Sequence, residues 1–143
     1  MLRLLLNMYT SHVTRVSWNG VFSPPFTVRN GVKQGGVLSP ILFCIYIDGL
    51  LHTLAESGVG CSIGRFFVGA LVYADDIVLL SPTASGMRSL LRLCDTFASD
   101  FSVVFNAAKS KCLWFKARSN STSHCNNAPS FLIGGNVIEF VSS

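Results

Sequence analysis

The stretch LVYADDIVLL, Leu71 to Leu80, constrains the fold of this chain more than any other. Two apolar runs of strand type, Phe66 to Tyr73 and Ile77 to Leu80, flank a break of Ala74, Asp75 and Asp76, which predicts a β-hairpin with its turn at the break. Two adjacent carboxylates at the tip of an apolar hairpin repel each other and are costly unless water or cations neutralise them. A divalent metal ion is one resolution. A solvated turn is the other, because Asp is a favoured turn residue. The hairpin by itself leaves both open.

With 143 residues the chain is at most one domain long and can bury one core. Half of it is apolar and only 13% is charged, so a membrane span has to be tested. The longest apolar stretch, Val37 to Ala55, contains Ser39, Pro40, Asp48 and His52, which argues against a spanning helix. The opening MLRLLLNMY is too short and lacks a small-residue cleavage site, which argues against a signal peptide. The apolar excess fits faces that pack on neighbours outside this sequence. A net charge of +4 and a pI near 9.0 fit a polyanion partner, although such an excess also serves as a solvated surface. Cys44, Cys61, Cys94, Cys112 and Cys125 form no CxxC pair, are odd in number and mostly sit in apolar runs. They read as reduced core thiols of an intracellular protein, nuclear or cytoplasmic and not secreted. The sequon at Asn120 is then a chance match.

Along the chain, Met1 to His12 predicts a short buried helix. Val13 to Trp18 and Val21 to Val28 surround Asn19-Gly20, a type I′ hairpin signal, and Pro24-Pro25 breaks the second strand or places it at an edge. Arg29 to Gly36 is a glycine-rich loop whose backbone N–H groups and Lys33 can approach a phosphate, although ordinary turn chemistry explains it as well. Ser39 reads as an N-cap before Pro40, and the helix it opens runs to about Glu56. A second helix from Ser81-Pro82-Thr83 to about Asp100 carries one core stripe of Met87, Leu90, Leu91, Cys94, Phe97 and Phe101, with Arg88 and Arg92 on a solvated face. Val103 to Phe105 and Cys112 to Lys116 are expected as strands around a turn at Asn106 to Lys111. Ala117 to Ser130 reads as a surface loop, in which His124-Cys125 lacks the further ligands of a zinc site. Phe131 to Ile133, Gly134-Gly135 and Val137 to Val141 read as a last hairpin.

Three of these segments, in this order, carry a resemblance: GVKQGGVLSP (Gly31 to Pro40), YADD (Tyr73 to Asp76) and NAAKSK (Asn106 to Lys111). Together they are similar to the central motifs of reverse transcriptases, most closely those of non-LTR, LINE-type retrotransposons. The KQGxxxSP box argues against an RNA-dependent RNA polymerase. Group II intron-type enzymes share YADD, and Ile45 to Leu50 tilts the likeness toward the LINE type.

The resemblance implies an α+β polymerase palm, a ferredoxin-like antiparallel sheet with the YADD hairpin at its centre and the Pro40 to Glu56 and Thr83 to Asp100 helices on one face. It implies that Asp75 is the principal catalytic ligand for Mg²⁺ or Mn²⁺ and Asp76 its weaker neighbour, and that Lys109 stands near the departing pyrophosphate, if it is not simply an exposed turn lysine. Lys33, Gln34, Gly35 and Gly36 match the family's nucleotide- and template-side residues, and Tyr73 packs beside the primer end. The implied partners are an RNA template, a DNA primer, dNTPs and the remainder of a polymerase.

One departure qualifies this. The family's first catalytic aspartate precedes the glycine loop, and here no Asp or Glu occurs before Asp48. Residues 1–143 are therefore expected to be a partial, incomplete reverse transcriptase domain, weak in metal binding and inactive by itself. The alternative is a non-catalytic nucleic-acid-binding or interaction module, for which Phe66, Phe67 and Tyr73 are the available aromatic residues.

Overall fold

The computed structural model describes residues 2–10, 12–28, 31–33, 35–115 and 129–141. In chain order the elements are α1 (Leu2–Thr10), β1 (Val13–Thr14), β2 (Ser17–Trp18), β3 (Val21–Phe22), β4 (Phe26–Thr27), α2 (Ser39–Glu56), β5 (Ser62–Ile63), β6 (Phe66–Phe67), β7 (Ala70–Tyr73), β8 (Asp76–Leu79), α3 (Ala84–Phe101), β9 (Lys111–Leu113), β10 (Leu132–Ile133), β11 (Asn136–Val137) and β12 (Glu139–Val141). This is an α+β chain that divides into two compact units, Met1–Leu42 and Phe43–Ser143.

In the first unit, Asn19 and Gly20 both take positive φ, 48° and 79°, the type I′ geometry that joins β2 to β3 with Trp18 opposite Val21. The ladder continues as Val16 opposite Ser23, where Ser23 N–H donates to Val16 O at 2.9 Å and Ser23 Oγ accepts from Val16 N–H at 3.0 Å. It resumes as β1 against β4, with Thr14 opposite Phe26. The second strand carries an extra residue at Pro24-Pro25, a bulge at the position where proline cannot donate. The helix expected at the start forms, but it is not buried: no residue of α1 is, and Leu2, Leu4, Leu6 and Met8 are exposed. A unit of about 40 residues cannot enclose a helix that is apolar on nearly every side.

The second unit is built on one cluster. Ile47, Leu50 and Leu54 of α2 join Leu90, Leu91, Cys94 and Phe97 of α3 with Phe131, Ile133 and Ile138. Thr83 caps α3, its Oγ1 accepting from Gly86 N–H at 3.0 Å, and Ser102 ends the helix in the left-handed region, with φ 54°. Asp95 Oδ1 accepts from Gly134 N–H at 2.8 Å and so docks the β10–β11 turn on α3. Arg88 is exposed, as expected, and its guanidinium also lies 5.7 Å from the centroid of the Phe131 ring. At the end of this unit chain order breaks: β12 pairs in parallel with β9, and Lys111 Nζ donates to Glu139 Oε2. That hydrogen bond, and then the lysine's charge, holds Glu139 below the usual carboxylate range.

Several expectations need correction. Phe66 to Tyr73 is not one strand but β6 and β7, because Phe67 folds over Gly69, where a Cβ would stand 2.5 Å from Phe67 Cε2. Among the described residues Val103 to Phe105 joins no ladder: Val103 N–H bonds Ala98 O at the helix end, and Asn106 closes a turn immediately after. Val137 to Val141 splits at Ile138, which turns into the core while its N–H bonds Phe131 O at 2.9 Å. Phe101 ends the α3 stripe outside the core, stacked on Phe97 at 4.5 Å, while Tyr46 Oη donates to its carbonyl. Among the described residues every ladder has two strands, so β7–β8 has a free edge on each side where a wider sheet was expected. Cys94 is buried, Cys61 and Cys112 half-buried, and Cys44 exposed, so the core reading holds for only part of the set. Lys116, most of the Ala117 to Ser130 loop and Cys125 lie outside the described residues.

Two predictions test this packing. Leu90 is fully buried at the helix junction, so Leu90→Ala should cost about 2–5 kcal/mol in chemical denaturation, against about 1 kcal/mol for removing the cap in Thr83→Ala. Burial, and secondarily Asp95, pushes the Cys94 thiol from 9.0 up to about 12. Above pH 9 the unfolded chain ionises this thiol before the native chain does. Its contribution is therefore full below pH 9 and is lost as pH rises toward about 12. Maleimide labelling at neutral pH should modify Cys44 and spare Cys94 until the protein unfolds.

Candidate functional site

The hairpin that carries the two carboxylates is a four-rung ladder whose register runs from Ala70 opposite Leu79 to Tyr73 opposite Asp76. Only Ala74 and Asp75 remain in the turn. Asp76, expected in the break, is the first residue of β8 and pairs directly with Tyr73. Ala74 takes the positive φ, 52°, at the first loop position, where a side-chain-free residue is preferred. A Cβ in this region is strained by about 1–2 kcal/mol.

Alternation then decides what faces where. Ala70, Val72, Ile77 and Leu79 pack against the core cluster. Leu71, Tyr73, Asp76 and Val78 point to the opposite face and are exposed, Tyr73 to 85%. Tyr73 and Asp76 thus stand side by side on an open surface, with Asp75 beside them at the tip. Among the described residues neither carboxylate has an ion pair or hydrogen bond, and no third His, Cys, Asp or Glu joins them in a group able to hold a metal. The donor set suits a hard cation in kind, two carboxylate oxygens with room for water, but fills only part of its coordination shell.

Lys109 is held in a separate turn. Its N–H donates to Asn106 O and to Asn106 Oδ1, both at 3.1 Å, and Ser110 N–H bonds the same carbonyl at 2.9 Å. The asparagine of NAAKSK therefore shapes the turn that displays the lysine. The Lys109 side chain is exposed and has no ion pair among the described residues.

The glycine loop belongs to the first unit. Gln34 lies outside the described residues; Lys33 and Gly35 are exposed and Gly36 is half-buried. Ser39 does not serve as the expected N-cap. It is the first helical residue, is buried, and donates its Oγ to the Lys33 carbonyl, while its N–H bonds Gly36 O at 3.1 Å. A Cβ on Gly36 would lie 2.6 Å from Ser39 Oγ and 3.0 Å from Lys33 O, so the clasp requires glycine there. The Ser39-Pro40 pair signalled a helix start but not this bond, because a hydroxyl that caps and one that clasps the preceding loop read alike in sequence.

The family model for reverse transcriptase (RNA-dependent DNA polymerase) matches residues 2–127. The chain is 35% identical over 132 residues to the Retrovirus-related Pol polyprotein from type-2 retrotransposable element R2DM of Drosophila melanogaster, covering 92% of this chain and 12% of that relative. It is 46% identical over 61 residues to the Pol polyprotein from type-1 retrotransposable element R2 of Nasonia vitripennis, which covers 43% of this chain and 6% of the relative. A Pol polyprotein from an R2 element of Popillia japonica is 29% identical over 137 residues, 94% of this chain and 22% of the relative. The chain thus spans a small part of the length of these relatives, and over most of its own length it belongs to the reverse transcriptase (RNA-dependent DNA polymerase) family.

Proposed function

We propose that this chain is the central palm segment of an RNA-directed DNA polymerase and that Asp75 and Asp76 are its metal-binding carboxylates. The observation that carries the reading is the hairpin tip, where two adjacent carboxylates, without partners among the described residues, stand on the open side of a hairpin whose other face is half-buried against the core. Mg²⁺ or Mn²⁺ bound there would neutralise charge on the transferring phosphoryl group and activate the primer hydroxyl. Asp75, free in the turn, is the principal ligand, and Asp76, fixed by its pairing with Tyr73, is the weaker one. The exposed Tyr73 ring lies beside Asp76 and offers a surface for the primer end. Lys109 supplies a cation or proton to the leaving pyrophosphate. Lys33, Gln34, Gly35 and Gly36 are the residues we assign to binding the incoming nucleotide and the RNA template.

The free edges of β7–β8 are where further strands of a palm sheet would pair. Two close cations need a bridging carboxylate, and no acidic residue precedes Asp48. We assign that ligand to polypeptide beyond these 143 residues, together with the rest of a longer Pol protein.

The isolated chain should therefore bind Mn²⁺ only weakly. Paramagnetic broadening should centre on Asp75 and Asp76 and vanish when both are changed to alanine; broadening centred elsewhere would place the metal wrongly. Primer extension on an RNA template with dNTPs and Mg²⁺ should be absent for the chain alone and present for a longer polypeptide that includes the upstream aspartate strand. In that longer protein Asp75→Asn should lower the rate roughly a hundredfold or more, because the amide keeps the shape and loses the charge. Extension by the short chain that Asp75→Asn abolishes would show that a carboxylate within it completes the site.

A further inference from the structure

Charge is divided unevenly along the chain. Arg3, Arg15, Arg29 and Lys33 are the only charged side chains before Asp48, and from there on the seven remaining Lys and Arg are balanced by the 7 Asp and Glu. The net charge of +4 therefore belongs to the first unit, which contains no carboxylate side chain. In the same unit the β1–β4 hairpin displays its aromatic side chains to solvent: Trp18 is 77% exposed and Phe22 64%. The register puts Trp18 and its partner Val21 on one face, and Phe22 with Ser17 on the other. The type I′ turn and the paired Ser23 hydrogen bonds to Val16 hold this blade in shape, with Arg15, next to Val16 in the chain, exposed.

A neighbouring apolar protein surface would account for the aromatic rings but not for the absence of every carboxylate. A polyanion alone would account for the charge but not for the rings. Single-stranded nucleic acid accounts for both, because its unpaired bases offer π-faces and its backbone offers phosphates. We infer that the Val13–Thr27 hairpin is a contact for single-stranded nucleic acid, on which bases stack against Trp18 and Phe22 while Arg15 engages phosphate. The inference shares the family assignment with the proposed reaction but none of its residues, so failure of one leaves the other standing.

The test uses the full chain with Trp114→Phe, which leaves Trp18 as the sole tryptophan, and no divalent metal. A fluorescein-labelled oligouridylate is titrated by anisotropy while Trp18 emission is followed. Saturable binding with quenching of Trp18 is expected, with weaker binding of a blunt RNA duplex, and heparin should bind without comparable quenching. The Trp18→Ala, Phe22→Ala pair should weaken oligouridylate binding by about tenfold or more. Arg15→Ala should reduce the salt slope by about one contact. Both rings are exposed, so circular dichroism should be unchanged, and Trp18→Phe should restore most of the affinity. Three results would each overturn the inference: no binding to the unsubstituted chain, equal quenching by heparin, or full affinity in a folded Trp18→Ala, Phe22→Ala chain. The first of these would leave a protein neighbour as the cover for the blade.

Discussion

The hairpin that carries Asp75 and Asp76 is held by burial of only one of its faces. Ala70, Val72, Ile77 and Leu79 settle, half-buried, against the core cluster, and the two-residue period of a strand then sends Tyr73 and Asp76 the other way. Nothing polar at the tip has to be bonded internally for the fold to form. The core specifies orientation, and the carboxylates are left to whatever solvent or ligand offers.

The parts that were readable in sequence share a physical character. The Asn19-Gly20 turn, the α3 stripe with its Thr83 start, and the YADD hairpin are each written in local periodicity or turn chemistry, which the fold did not override. The parts that were not readable depend on a distant partner. Arg88 lies over Phe131, and Asp95 meets Gly134, a pairing across 39 positions that no local pattern signals. Hydropathy alone also misled: α1 reads as buried and is exposed, because composition reports what a segment would bury and not whether a neighbour is there to cover it.

For the candidate site, sequence nominates residues but does not say how they pair. Asp76 belongs to β8 and not to the turn, a distinction of one residue that fixes its direction and leaves Asp75 freer. Ser39 turned from helix cap to loop clasp for a related reason. Its hydroxyl could satisfy either a helix N–H or the Lys33 carbonyl, and the close approach permitted at Gly36 favours the second. In both cases the sequence pointed to the residue, and only three-dimensional pairing fixed what it bonds to.

The two-residue turn has a further consequence for how this segment can change. Between Ala70 and Leu79 the chain is a parity device: each residue's side is set by whether its count from the turn is odd or even. Most substitutions there alter one side chain. Gain or loss of a single codon in either strand would exchange the two faces of that strand beyond it, bringing apolar and polar side chains to the wrong sides together. Length in this stretch should therefore be far less tolerant of drift than composition.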